Sequence, residues 1–227
     1  MKALITGASS GIGHDIAIYL SDLGYDLIIV ARRGIKLEEL KKQLKTKVDI
    51  IELDLSEENN CYRLYELTKK ENIDILVNNA GFGVYGAFNN SNLTKELKMI
   101  DVNIRCVHIL TKLFLDDMKE KNSGHILNVA SLAAFQPGPL MASYYATKAY
   151  VLRITTAIYE ELRRNKSNVV VSCLCPGPVK TEFNDVAHVK FSMKYLTSDY
   201  VAKYGIDKMF KKKLVIIPGF TNKVAYF

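Results

Sequence analysis

The sequence predicts an α/β fold: a doubly wound, mostly parallel sheet of about seven strands with helices on both faces, in a single domain over residues 1–227. Three observations predict it. Seven short apolar runs, rich in β-branched residues, recur along the chain. Segments of helical period, rich in Lys, Glu and Leu, lie between them. A glycine-rich turn joins the first run to the first helical segment. Near-continuous apolar runs suit strands buried on both faces, and their alternation with helices favours parallel crossovers.

The elements follow in order. The strand runs are residues 3–6, 27–31, 48–53, 73–77, 125–131, 169–175 and 214–218. Helical spacing marks residues 12–23, 36–44 and 57–70, and a long segment over 143–164. Ser143 is the expected N-cap of that last helix, and Ala146, Ala149, Leu152, Ala157 and Ile158 form its small and apolar faces. No stretch reads as a linker, a repeat or a low-complexity tract. With 227 residues, 48% of them hydrophobic and 24% charged, the chain has the composition of one globular domain.

Composition also sets aside several function classes. The formal charge is +7, but the lysines are spread over helix faces, and only Lys211, Lys212 and Lys213 form a tight run. A nucleic-acid partner is therefore not expected. The first strand run is too short for a signal-peptide core, and no apolar run approaches a membrane span. The expectation is a cytoplasmic protein with no membrane partner. Cys61, Cys106, Cys173 and Cys175 are read as reduced structural thiols, and His14, His108, His125 and His188 are scattered, so no metal site is expected.

The first strand runs into Thr6-Gly7-Ala8-Ser9-Ser10-Gly11-Ile12-Gly13. Glycines at 7, 11 and 13 let the backbone turn sharply and let a diphosphate approach the start of the next helix, whose free N–H groups favour anions. The competing reading is a structural turn without a ligand; the position after an opening strand and before a helix favours the cofactor. An NAD site usually has a carboxylate about 20 residues beyond the glycines. Here the second strand ends in Ala31-Arg32-Arg33. Guanidinium groups bond phosphate through a planar fork, so the expected cofactor is NADP(H), with Arg32 and Arg33 on its 2′-phosphate. Either arginine taken singly is also readable as a surface residue opening a loop. Asp54 is a candidate to hydrogen-bond the adenine, or an ordinary acid before a helix.

Tyr144 and Lys148 are four residues apart and share one helix face. An ammonium near a phenol favours the phenolate, which makes the phenol a better proton donor to a carbonyl that receives hydride. Ser131 closes the fifth strand run, at the sheet edge where open parallel sheets bind ligands, and can bond the substrate oxygen. The turn Asn78-Asn79-Ala80-Gly81 follows the fourth strand at the same edge. Asn103 lies in a helical segment where its side chain can bond backbone or water.

Taken in order, these pieces resemble the short-chain dehydrogenase/reductase family in its ordinary short-length branch, with a Rossmann-like fold. The resemblance rests on the glycine turn, Asn78 to Gly81, Asn103, Ser131, Tyr144 to Lys148 and Pro176-Gly177-Pro178-Val179-Lys180-Thr181, and covers nearly the whole chain. It implies a general acid/base role for Tyr144 and stabilisation of the substrate oxygen by Ser131. Lys148 would bind the nicotinamide ribose and tune Tyr144, and Asn103 would hold a water of a proton relay. Gly7, Ser9, Ser10, Gly11, Ile12, Gly13, Asn79, Ala80, Gly81, Pro176, Gly177, Val179 and Thr181 would contact the cofactor. In the family a basic residue inside the glycine turn often accompanies NADP(H); here the turn has Ser9 and Ser10.

The implied substrate is a small-molecule carbonyl or alcohol. Phe82, Phe135, Met141, Tyr145, Phe183 and Met193 are the candidates for a partly apolar pocket. A homodimer or homotetramer is the expected assembly. The rival functions are a non-catalytic NADP(H)-binding regulator and an epimerase or dehydratase of the superfamily's extended branch, for which the chain is short.

Overall fold

The computed structural model describes residues 1–183 and 195–219. Seven parallel strands form one sheet in the order β3-β2-β1-β4-β5-β6-β7. They are β1 (Lys2–Thr6), β2 (Asp26–Ala31), β3 (Val48–Glu52), β4 (Ile75–Asn78), β5 (His125–Val129), β6 (Val170–Leu174) and β7 (Val215–Ile216). The helices are α1 (Gly11–Asp22), α2 (Gly34–Lys41), α3 (Glu58–Thr68), α4 (Leu93–Ile100), α5 (Val107–Glu120), α6 (Ala142–Arg164) and α7 (Ser198–Phe210). A wider-wound π turn over Asp101–Cys106 joins α4 to α5, and a short 3₁₀ turn covers Leu132–Phe135.

The period of two in each strand divides the core between the two faces. Ala3, Ile5, Leu27, Ile29, Ile75 and Val77 pack with Ile16 and Leu20 of α1, Leu37 of α2 and Ile206 of α7. Leu4, Ile28, Val30, Leu76 and Ile126 turn the other way, onto Leu64 of α3 and Leu110 and Phe114 of α5. Most of these side chains are fully buried. Each such Leu or Ile contributes on the order of 2 kcal/mol relative to exposure. That two-sided burial is why the strand runs read as unbroken apolar stretches.

The expected fold class is the observed one, with local differences. Chain entering β5 leaves the sheet at Val129, so Ser131 lies beyond the strand and caps the 3₁₀ turn, accepting the Ala133 N–H at 3.1 Å. Asn78 is the last residue of β4 rather than part of the turn. Its amide donates to Thr111 Oγ1 and Asn128 Oδ1 inside the core. Ser143 is not the cap of α6, which starts one residue earlier behind Met141; its hydroxyl donates instead to Glu96 on α4 at 2.8 Å. The run over 214–218 pairs through only two residues. All four cysteines are free and buried, and Cys173 and Cys175 face the same way with sulfurs 3.7 Å apart. Among the described residues no helix is long and apolar enough to cross a membrane.

Candidate active site

Strand order reverses between β1 and β4, which leaves a crevice at their carboxyl ends. The turn after β1 and the segment after β4 form its floor. Thr6 ties them together: its hydroxyl donates to Val77 O at 3.2 Å and accepts the Asn79 and Ala80 N–H groups at 3.0 and 3.1 Å. Asn79 completes the join by donating to the carbonyls of Thr6 and Gly7, both at 3.1 Å. Asn79 therefore braces the glycine turn, consistent with a steadying role.

Two glycines are required by this packing. Gly7 sits at φ 67°, and a Cβ there would lie 2.8 Å from the Ala80 backbone. A Cβ on Gly13 would run into the Gly7 carbonyl and the Asn79 amide. Gly13→Ala should therefore cost about 1–3 kcal/mol of stability, as overpacked sites do, and distort the turn. Urea denaturation checks the first effect and a dinucleotide titration the second; an unchanged midpoint would contradict the close approach.

The crevice opens into a cleft of about 870 Å³. Gly7, Ser9, Ser10, Gly11, Ile12, Arg32, Arg33, Asp54, Asn79, Ala80, Gly81, Pro176, Gly177, Val179 and Thr181 line it, as do Ser131, Tyr144 and Lys148. Gly13 and Asn103 lie behind its wall. The volume and the glycine floor suit a dinucleotide, with the start of α1 facing the space where a diphosphate would lie.

Sequence reasoning missed how the positive charge reaches the turn. Arg33, from the end of β2, donates through Nε and Nη2 to Ser9 Oγ at 3.3 and 3.0 Å, and through Nη2 to Ser10 Oγ at 3.1 Å. A guanidinium thus lies on the glycine turn although the turn itself holds only serines. Arg32 is more open, 67% exposed, with Nη1 3.9 Å from Asp54 Oδ2. Asp54 Oδ1 accepts the N–H and hydroxyl of Ser56 at 3.0 and 2.9 Å, so this acid serves the turn before α3 while also facing the cleft.

Deeper in, α6 presents Tyr144 and Lys148 on one buried face. Lys148 Nζ donates to Val129 O at 3.0 Å and stands 5.8 Å from the centre of the Tyr144 ring. Burial dominates at Tyr144 and pushes the phenol up to about 12, against a smaller lowering influence of the Ser131 hydroxyl, which itself donates to Pro176 O at 3.4 Å. Burial likewise pulls Lys148 down to about 8. The ammonium of Lys148 is not among the influences on the phenol, whose direction is set by desolvation, opposite to the acidification expected. Tyr144 stays protonated at neutral pH, and Tyr144 and Ser131 line the same cleft.

Asn103 sits in the π turn with no exposed surface. It donates to Phe82 O at 3.0 Å and to Thr147 Oγ1 at 3.1 Å, and accepts the Phe82 N–H at 3.2 Å. The expected backbone bonding is observed. A Cβ on Gly81 would lie 2.9 Å from Asn103 Oδ1 and 3.4 Å from Lys148 Nζ, so these three groups are neighbours. Phe82, Phe135, Met141, Tyr145 and Phe183 line the outer cleft, and the Phe183 ring packs 5.3 Å from that of Tyr144. Met193 lies outside the described residues.

Known proteins resemble this chain in sequence and fold. The short chain dehydrogenase family model matches residues 1–189. An uncharacterized oxidoreductase of Staphylococcus epidermidis is 36% identical over 186 residues, covering 81% of this chain and 80% of that protein. Among solved structures, a short-chain dehydrogenase from Sphingobium yanoikuyae in complex with NADPH superimposes with a TM-score of 0.90 at 26% identity, covering 96% of this chain and 88% of the other. A short chain dehydrogenase/reductase from Burkholderia phymatum in complex with NAD gives 0.88 at 24% identity, covering 99% and 90%, a likeness of fold. The glycine-floored crevice and the family match agree: this chain belongs to the short-chain dehydrogenase/reductase family of oxidoreductases.

Proposed function

We propose that the protein is an NADP(H)-dependent reductase that transfers hydride to the carbonyl carbon of a small apolar-faced molecule, with Tyr144 as the proton donor. The observation that carries this reading is that Tyr144 and Ser131 line one cleft with buried Lys148, whose Nζ stands 5.8 Å from the centre of the Tyr144 ring. The bound cofactor supplies hydride. Everything else falls to the chain. Ser131 donates a hydrogen bond to the substrate oxygen and holds it beside the phenol. As negative charge develops on that oxygen, Tyr144 hands over its proton and takes on phenolate character. Charged Lys148 steadies that phenolate and bonds the nicotinamide ribose, while Asn103 maintains the wall behind it.

The fit of NADP(H) follows from charge. Arg32 and Arg33 face the cleft at the end of β2, and Arg33 already rests on the two serines of the turn. A 2′-phosphate placed between them would gain charge-assisted hydrogen bonds that NADH cannot make. Replacing both arginines with Ala should weaken NADPH binding about a hundredfold and change NADH binding less than threefold, taking about 1.5–3 kcal/mol per such bond pair. Equal losses for both cofactors in a fluorescence titration would refute the phosphate role.

The aromatic outer cleft favours bulky, apolar ketones and aldehydes as substrates. A carbonyl panel followed by NADPH absorbance, and repeated with NADH, tests reaction class and cofactor together. Tight NADPH binding with no turnover across the panel would favour the regulator instead. Exposed Phe88, Leu93 and Leu97 support assembly as a homodimer or homotetramer. Sedimentation as a monomer at micromolar concentration would exclude it.

A further inference from the structure

One charged group in the cleft has no part in the chemistry above. Glu182 follows Thr181 directly and reaches back over the cleft rim to the end of β2 and the start of α2. Its two oxygens are divided between two cations: Arg33 Nη1 meets Oε2 at 2.8 Å, and Lys36 Nζ meets Oε1 at 2.6 Å. These hydrogen bonds, that to Lys36 first, hold the carboxyl down at about 2, so Glu182 is an anion at any working pH. Arg33 also donates through Nε and Nη2 to Ser9 and Ser10. The guanidinium best placed for a 2′-phosphate is therefore already shared with an anion of the protein itself.

These two ion pairs are half-open to water, with side-chain exposures of 45% for Arg33, 42% for Lys36 and 41% for Glu182. Exposed ion pairs are weak and exchange partners readily. A phosphate dianion has the chemistry to take the same donors, and a carboxylate that stayed beside it would repel it. A cofactor ending in a free ribose hydroxyl meets neither effect.

We propose that Glu182 is a specificity-determining residue: an internal counter-anion that competes with the cofactor's 2′-phosphate for Arg33 and Lys36 and so limits the preference for NADPH over NADH. This rests on the placement of the 2′-phosphate at Arg32 and Arg33 proposed above. It also gives Lys36, which the sequence shows only as one lysine of a helix face, a place at the phosphate.

The test is a fluorescence titration of the full chain with NADPH and with NADH, in the wild type, Glu182→Gln and Glu182→Ala. Competition by 2′,5′-ADP and by 5′-AMP isolates the phosphate from the nicotinamide end. Both variants should bind NADPH and 2′,5′-ADP about tenfold more tightly, with NADH and 5′-AMP changed less than twofold. An unchanged NADH-to-NADPH ratio of dissociation constants overturns the inference. A ratio that moves toward NADH also overturns it, because Glu182 would then be holding Arg33 in place for the phosphate. The two readings fail separately. A wild type with no NADPH preference that acquires one in Glu182→Gln would refute the cofactor assignment and sustain the role of Glu182.

Discussion

Tyr144→Phe should lower the rate of carbonyl reduction about a thousandfold while leaving the NADPH dissociation constant within about twofold. The size follows from the range for a single well-placed general acid, about 10² to 10⁴. Phe keeps the ring that packs against Tyr145 and Phe183, so the cleft wall survives and only the hydroxyl is lost. Ser131 can still bond the substrate oxygen, but the proton must then come from water. Because burial raises the phenol to about 12, its own titration lies above the working range. Steady-state turnover on any accepted ketone, with a parallel cofactor titration, checks both parts. Turnover close to that of the wild type would remove Tyr144 from the mechanism.

Lys148→Met should abolish activity by at least a hundredfold and yet make the protein more resistant to heat. Lys148 is 5% exposed, and burial lowers it from its ordinary 10.5 to about 8. Below pH 8 the lysine is charged in both the folded and the unfolded chain, and its full desolvation cost is present. Between pH 8 and 10.5 the unfolded chain holds the proton and the folded chain does not, so this contribution to stability rises with pH. The difference amounts to on the order of 3 kcal/mol. Against it stands the charge-assisted hydrogen bond to Val129 O, about 2 kcal/mol. A net gain of roughly 1 kcal/mol corresponds to about 2–4 °C in a chain of this size. Calorimetry at pH 7 and pH 9 checks it: the wild type should gain on the variant as pH rises. Its activity should fall over the same interval if, as proposed above, the Lys148 ammonium steadies the phenolate and loses its charge there. A lower melting temperature for the variant at pH 7 would show that Lys148 sits in the fold without that cost.

Much of this was legible in the sequence, for identifiable reasons. Strands buried on both faces, such as β1 and β2, announce themselves as continuous apolar runs, and the glycine turn marks where the first of them ends. Tyr144 and Lys148 share a helix face by their spacing, which alone is a common accident of helices, and they were legible because Ser131, Asn103 and the glycine turn accompany them in order. Boundaries were less so. Ala130 and Ser131 are small enough to extend a strand, but β5 ends at Val129 and Ser131 caps the turn that follows. Ser143 has the chemistry of a cap, but Glu96, 47 positions away in sequence, takes its hydroxyl. The direction of the Tyr144 shift was not legible either. Proximity to a lysine can be counted along a helix, whereas depth of burial depends on what the rest of the chain lays over it. Glu182 and Arg33 meet for the same reason, across 149 positions that carry no periodic signal.

The Thr6 hydroxyl, shared by one carbonyl and two N–H groups, has a consequence for cofactor affinity. It fixes the floor of the crevice during folding, so the backbone there has little conformational entropy left to lose when a ligand arrives. Affinity then depends on the contacts themselves rather than on the ordering of loops. A rigid floor would receive different dinucleotides in one pose, which would confine discrimination between them to the rim where Arg32 and Arg33 stand.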